Sequence, residues 1–230
     1  MKHKQHIVFL TGAGMSAESG ISTFRDAGGL WENCDPNIVA SIDGWRKFPG
    51  QVQQFYNDRR AQLTEVEPNE GHQLIADLET DFEVTVITQN VDNLHERAGS
   101  TGIIHLHGEL TKACNEAKTV VYEIGTRPIL AGEKAEDGSR LRPFIVWFGE
   151  AVPLIEKAAE IVSKADIVVI VGTSMKVYPA AGLINYAPKG TPIYLIDPAD
   201  VSVPASVNVI KAKASTGLKT LKGRLSLKSE

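Results

Sequence analysis

Apolar positions along this chain fall into two regimes. Short, nearly unbroken apolar runs cover His6–Leu10, Phe82–Thr88, Asp166–Val171 and Ile193–Ile196. Their length and β-branched content predict strands buried on both faces, as in a parallel sheet. Ile103–Leu106 is a shorter run of the same kind, and Pro143–Phe148 is strand-like. Between these runs the apolar spacing becomes helical. Pro49-Gly50 starts a helix over Gln51–Leu63, with Val52, Phe55, Tyr56 and Leu63 at compatible positions. Pro68-Asn69 opens another, with Leu74, Ile75 and Leu78 on its buried side, and further helices are predicted at Pro153–Lys164, at Pro179–Tyr186 and from about Ser215. Strands alternating with helices predict an α/β fold, a Rossmann-like doubly wound parallel sheet. From Leu110 to Arg142 the pattern loosens into mixed polarity, which predicts a small inserted subdomain.

The first run delivers the chain into Thr11-Gly12-Ala13-Gly14-Met15-Ser16-Ala17. A strand leading into Gly-x-Gly-x-x-Ala fits a dinucleotide-binding turn: a tight bend, close backbone approach to a pyrophosphate, then a closely packed helix. The pattern alone is equally a glycine-rich turn. A dehydrogenase would carry a ribose-binding acid at the end of a second strand about 20 residues further on. Here that region is Asn37–Lys47, which does not read as a strand, and the loop continues instead into Phe24-Arg25. Ligands bind such sheets outside the carboxyl ends of the strands. The polar residues expected there are Gly12/Ala13/Gly14, Gln89/Asn90/Asp92, His107, Gly172/Thr173/Ser174 and Asp197. Each alone has a structural explanation, as a helix cap, a turn residue or a satisfied loop histidine; together they outline one edge.

Composition narrows the class. The 230 residues carry a formal charge of −4, with 43% apolar and 23% charged residues, which is ordinary for a soluble globular protein. The charge argues against nucleic acid as a partner. No apolar run has the length of a membrane span, and the few apolar residues before Thr11 are too short for a secretory signal. Cys34 and Cys114 suggest no disulfide framework, so a reducing, cytoplasmic setting is expected.

Taken in order, the segments Gly12–Ile21 with Phe24-Arg25, Thr88–Leu94, His105-Leu106-His107-Gly108-Glu109, and Gly172-Thr173-Ser174 with Val177-Tyr178-Pro179-Ala180-Ala181 resemble the sirtuin family over nearly the whole chain. The resemblance implies one catalytic domain over 1–230, with small-subdomain segments at about 33–64 and 110–142. It implies NAD consumed as co-substrate and removal of acyl groups from lysine, giving nicotinamide and 2′-O-acyl-ADP-ribose. His107 matches the general base, and Asn90 the residue that positions the ribose. Asp92 and Ile21 match the nicotinamide contacts. Phe24 and Arg25 match a covering loop, with Trp31 and Ser16 among the cofactor-binding positions. Gly172, Thr173 and Ser174 match phosphate and ribose contacts, and Gln89 is a further cofactor-binding position. Asp197 stands where the family often has Asn, and Ala214 is assigned to the adenine end. The partners implied are acylated-lysine proteins, with a monomer expected.

Tyr56 and Arg59 share one face of their predicted helix. From spacing alone the better reading is a core tyrosine beside a solvated arginine. Phe55-Tyr56-Asn57-Asp58-Arg59-Arg60 also resembles the Tyr-x-x-Arg signature of class III sirtuins, which binds the distal carboxylate of succinyl-, malonyl- or glutaryl-lysine, with Ala27 matching a small pocket-floor residue. Most sirtuins hold structural zinc with two Cys-x-x-Cys pairs. Here the first pair is reduced to Cys114-Asn115-Glu116-Ala117 and the second has no cysteine, so no zinc is expected. Packing among Val120, Val121, Tyr122, Ile124, Ile129 and Leu130 is expected to hold the subdomain instead. A non-catalytic NAD or ADP-ribose sensor and a protein ADP-ribosyltransferase are the competing readings.

Overall fold

The computed structural model describes residues 4–23 and 34–226. The chain runs through β1 (His6–Thr11), the short helix α1 (Ala13–Ser16), α2 (Pro36–Val39), α3 (Ile42–Lys47), α4 (Pro49–Gln62) and α5 (Glu70–Asp77). It continues through β2 (Glu83–Thr88), α6 (Leu94–Arg97), β3 (Ile103–His105), β4 (Gly108–Cys114), β5 (Val121–Glu123) and β6 (Arg142–Ile145). Helix α7 (Ile155–Val162), β7 (Ile167–Val171), β8 (Ile193–Ile196), β9 (Asn208–Ile210) and α8 (Ala214–Ser226) complete it. Among the described residues no helix is long and apolar enough to cross a membrane.

Six strands form one parallel sheet in the order β3-β2-β1-β7-β8-β9. Side chains alternate across the faces of a strand, and β1 shows the consequence. Ile7 and Phe9 point into a core shared with Ile75 of α5, Leu78 just after it, and Leu218 and Leu221 of α8. Val8 and Leu10 point into the opposite core, with Ala158 and Val162 of α7. Both faces are covered, which is why the runs read as continuously apolar. The chain builds outward from β1 through β2 to β3, then returns to the other side of β1 for β7, β8 and β9. That reversal puts a topological switch point between β1 and β7, where such sheets open a crevice.

The subdomain departs from expectation. Strands β4 and β5, which the loose apolar pattern concealed, join β6, expected from the strand-like run Pro143–Phe148, in an antiparallel sheet ordered β5-β4-β6. The strand β5 has only three residues and exposes Val121. Its packing also differs: Ile124 and Ile129 are buried with Ala113, Ala135 and Leu141, and Tyr122 packs against them. Val120, Val121 and Leu130 are instead exposed, at 41%, 44% and 64%. Polar contacts hold the turn that carries Val120. Asn115 Oδ1 accepts from the backbone N–H groups of Thr119 and Val120, while its Nδ2 donates to Asp137 Oδ2 at 2.8 Å. Two smaller differences are that the segment after Pro179 is a 3₁₀ helix, Ala180–Tyr186, and that β9 was not predicted.

Candidate active site

The switch point brings two glycine turns together. Gly12 N donates to Val171 O at 3.0 Å, and Gly14 N to Gly172 O at 2.8 Å. A Cβ on Gly14 would lie 2.6 Å from Gly172 Cα, and one on Gly12 2.7 Å from Thr173 Cβ. Only glycine allows these loops so close, and Gly172 itself has a φ of +60°. The two turns therefore form one wall of the crevice.

The residues after β2 tie that wall to the neighbouring strand. Buried Asn90 donates through Nδ2 to Gly12 O at 3.0 Å and to Ser16 Oγ at 3.1 Å. Ser16 in turn donates to Asp92 Oδ2 at 2.9 Å, and Asp92 Oδ1 caps Leu94 N. Gln89 Nε2 reaches Thr173 Oγ1 at 3.3 Å, so the ends of β2 and β7 are joined as well. Burial raises the Asp92 carboxyl above its ordinary range, with the Leu94 and Ser16 hydrogen bonds acting against that rise. Asn90 Oδ1 keeps no hydrogen bond among the described residues and is the amide's spare acceptor.

His107 follows β3 on the same edge. Its Nδ1 lies 3.1 Å from Gln89 O. A carbonyl can only accept, so Nδ1 carries the proton and Nε2 carries the lone pair. Burial lowers its pKa, opposed by that carbonyl contact, so the imidazole is neutral and basic at Nε2 at neutral pH. The chemistry available is proton removal from a hydroxyl brought beside Nε2. His105 is the contrasting case. Its Nδ1 faces Asn90 O at 2.9 Å and its Nε2 faces Glu96 Oε1 at 2.7 Å. Two acceptors require an imidazolium; burial opposes the charge, but Glu96 and the Asn90 carbonyl raise the pKa on balance. Glu96, His105 and Glu109 lie close enough to hold a cation, yet each is already paired, Glu109 with Lys112 at 2.9 Å.

Beneath the glycine loop lies a histidine pair that sequence reasoning missed. His95 Nε2 meets Thr11 Oγ1 at 3.2 Å, and its ring centroid lies 4.8 Å from that of His72. Both are buried, and His72 Nε2 and His95 Nδ1 have no hydrogen-bond partner among the described residues. Burial pushes the His72 pKa down to about 4 and the His95 pKa well below its usual value. The only sequence signal was their place near Asn69 and Asp92.

The other predicted residues join this edge less closely. Ser174 is exposed; Ile21 is half-buried, its N–H 3.4 Å from Ser16 O. Asp197 follows β8 and accepts from Ala199 N at 2.8 Å. Ala214 is buried at the start of α8 within the core that contains Met15. Phe24, Arg25, Ala27 and Trp31 lie outside the described residues.

Tyr56 and Arg59 sit on α4. Tyr56 is a core residue, as its spacing suggested, packed with Trp45, Leu110, Ile145 and Trp147. The Trp147 indole N–H donates to its hydroxyl at 2.9 Å. Arg59 is half-buried, its guanidinium 5.5 Å from the Phe55 ring centroid, and its Nε is buried with no hydrogen-bond partner among the described residues. The neighbouring Arg60 is the fully buried one, donating from Nε to Leu110 O at 2.6 Å, and burial lowers its pKa to about 10.

A four-thiolate zinc site does not fit this chain, whose cysteines number two. Cys114 is buried, and burial raises its thiol pKa to about 11, well away from a metal-ready thiolate.

The model of the Sir2 family matches residues 12–179. The chain is 57% identical over 231 residues to an NAD-dependent protein deacylase of Bacteroides thetaiotaomicron, covering 95% of this chain and 97% of that one. Among solved structures, a mutant Sir2 homologue in complex with ADP-ribose superposes with a TM-score of 0.89 at 36% identity, covering 97% of this chain and 94% of that one. A Sir2 homologue–NAD complex gives 0.86 at 36% identity, over 96% and 91%.

Proposed function

Because this chain belongs to the Sir2 family and is an NAD-dependent protein deacylase, we propose that it removes succinyl and malonyl groups, as well as acetyl, from lysine side chains. NAD, when bound, supplies the ribose carbon to which the acyl oxygen is joined as nicotinamide leaves. The observation that carries the reading is the hydrogen-bonded edge running from Gly12 through Asn90 and Ser16 to Asp92, with His107 anchored on Gln89 beside it.

In this reading the glycine wall holds the dinucleotide. Asn90 offers Oδ1 to a ribose hydroxyl while Nδ2 keeps it fixed to the loop. His107 Nε2 takes the proton of the ribose hydroxyl that attacks the acyl carbon. Its lowered pKa keeps it in the accepting form. The acidic acyl preference rests on Tyr56 and Arg59, whose helix presents a phenol and an arginine Nε with no acceptor among the described residues. A guanidinium with a phenol suits a carboxylate in a partly dry pocket. The Tyr-x-x-Arg resemblance supports the same assignment. We also propose that the subdomain needs no zinc, its turn being organised by Asn115 and Asp137.

Acetyl-, malonyl- and succinyl-lysine peptides assayed side by side with NAD test this, with mass spectrometry of the products. 2′-O-acyl-ADP-ribose from the acidic peptides is expected. Arg59→Met should cost about 2–5 kcal/mol on the succinyl peptide, at least tens-fold in kcat/KM, and far less on acetyl. ADP-ribosylated protein, or no nicotinamide release, would replace the reading by a transferase or a sensor.

A further inference from the structure

The indole of Trp147 stands outside the chemistry described so far, yet among the described residues it is the hydrogen-bond partner of the Tyr56 hydroxyl. We propose that Trp147 is a positioning residue for acyl selectivity: its N–H occupies a lone pair of the Tyr56 oxygen and so aims the phenol proton at the distal carboxylate of an acidic acyl chain. This inference rests on the carboxylate-binding reading of Tyr56 and Arg59.

Hydrogen-bond chemistry carries the first step. An indole N–H can only donate, so at 2.9 Å the phenol oxygen must be the acceptor. Tyr56 still has its own proton, and no described residue accepts it. The side chain is 6% exposed, so water does not readily stand in. Burial raises the phenol pKa, which keeps that proton in place. One turn further along α4, Arg59 Nε is also buried and has no hydrogen-bond partner among the described residues. Two donors three positions apart on one helix, neither with an acceptor among the described residues, would both be satisfied by an anion, and leaving such groups unsatisfied is costly.

The second step is rigidity. A positioning group must itself be held, and Trp147 is held on three sides. The Arg142 guanidinium stacks 3.9 Å from its ring centroid, and Trp45 lies 5.2 Å away on centroids. Glu150 accepts the Trp147 backbone N–H at 2.9 Å while also pairing with Arg142 and with Lys118. The preceding residue ties this assembly to the chemical centre, since Val146 N donates to His107 O at 2.9 Å. The tether to His107 and the tether to Tyr56 thus come from adjacent residues of one segment.

The test uses the full chain with acetyl- and succinyl-lysine peptides and reads the ratio of their kcat/KM values. Trp147→Phe removes the N–H and keeps an aromatic ring over Arg142. The succinyl-to-acetyl ratio should fall about tenfold, the scale of one hydrogen bond, mainly through KM for the succinyl peptide. Combined with Tyr56→Phe it should fall no further than Tyr56→Phe alone, because both changes remove the same contact. Equal loss on both peptides, or full additivity, overturns the proposal. Should Trp147→Phe fail to fold, benzothienylalanine at position 147 keeps the shape and lacks the N–H, and the same ratio is read. If Tyr56→Phe and Arg59→Met leave the ratio unchanged, the carboxylate reading itself fails. If they lower it and loss of the indole N–H does not, only the role of Trp147 fails.

Discussion

Replacing His72 by Gln should remove an acid-sensitive element beneath the glycine loop without disturbing the fold. His72 has no solvent exposure and serves as the third residue of a capping box, its Nδ1 accepting from Asn69 N at 3.3 Å. Glutamine fills that position in capping boxes, so the cap survives while the titration disappears. The folded ring has its pKa pushed down to about 4 from 6.5, mainly by burial, with Glu18 and Glu96 acting the other way. The unfolded chain therefore takes the proton first. The stability contributed by neutral His72 is complete above about pH 6.5 and is lost as pH falls toward 4. Linkage over that pair of values gives a loss of about 2 kcal/mol between pH 7 and pH 5, or about 4–8 °C in Tm for a chain of this size. His95 and His107 are shifted the same way and add to the slope, whereas His105 and Asp92, raised in the fold, oppose it. The difference between variant and parent isolates His72. Thermal unfolding of both proteins from pH 7 to pH 5 should show the parent falling more steeply. Parallel curves would refute the buried neutral ring.

Three other outcomes follow from the same geometry. His107→Ala should lower kcat by about 10²–10⁴-fold; in the parent, the acid limb of kcat/KM should have its midpoint below 6.5, activity disappearing as pH falls through the lowered pKa. A midpoint above 6.5 would contradict a buried neutral base. Gly14→Ala forces a Cβ to within 2.6 Å of Gly172 Cα, so the loops must part; about 1–3 kcal/mol of stability should be lost, together with NAD affinity by calorimetry. An unchanged Tm and affinity would mean that the close approach is dispensable. Finally, exhaustive chelation should leave Tm unmoved and metal analysis should find no stoichiometric zinc, since the two cysteines cannot form a four-thiolate site; a chelator-induced drop would show another ligand set.

Much of the site was legible because strand ends are legible. Gly12, Asn90, His107, Gly172 and Asp197 each follow an apolar run, and parallel strands bring such residues to one edge. The runs themselves were readable because burial on both faces leaves no polar interruption, as in Ile167–Val171. The subdomain was less legible. Its central strand, Gly108–Cys114, mixes small and charged residues with a single leucine, and Asn115 and Asp137 organise a turn that apolar side chains were expected to hold.

What the sequence determined by itself was the α/β class, the order of the elements and the edge on which chemistry could gather. Those follow from local periodicity and from the chemistry of residues next to strand ends. Only the tertiary structure decided which polar groups meet and in what ionic state. The spacing of His105 and His107 says nothing of one facing two acceptors while the other keeps a free Nε2. Nothing in Arg59-Arg60 tells which guanidinium enters the core. Tyr56 and Trp147 lie 91 positions apart, so their hydrogen bond exists only once α4 packs against the segment after β6. Burial and partner choice are properties of the packed chain, and they set the protonation states on which the reaction depends.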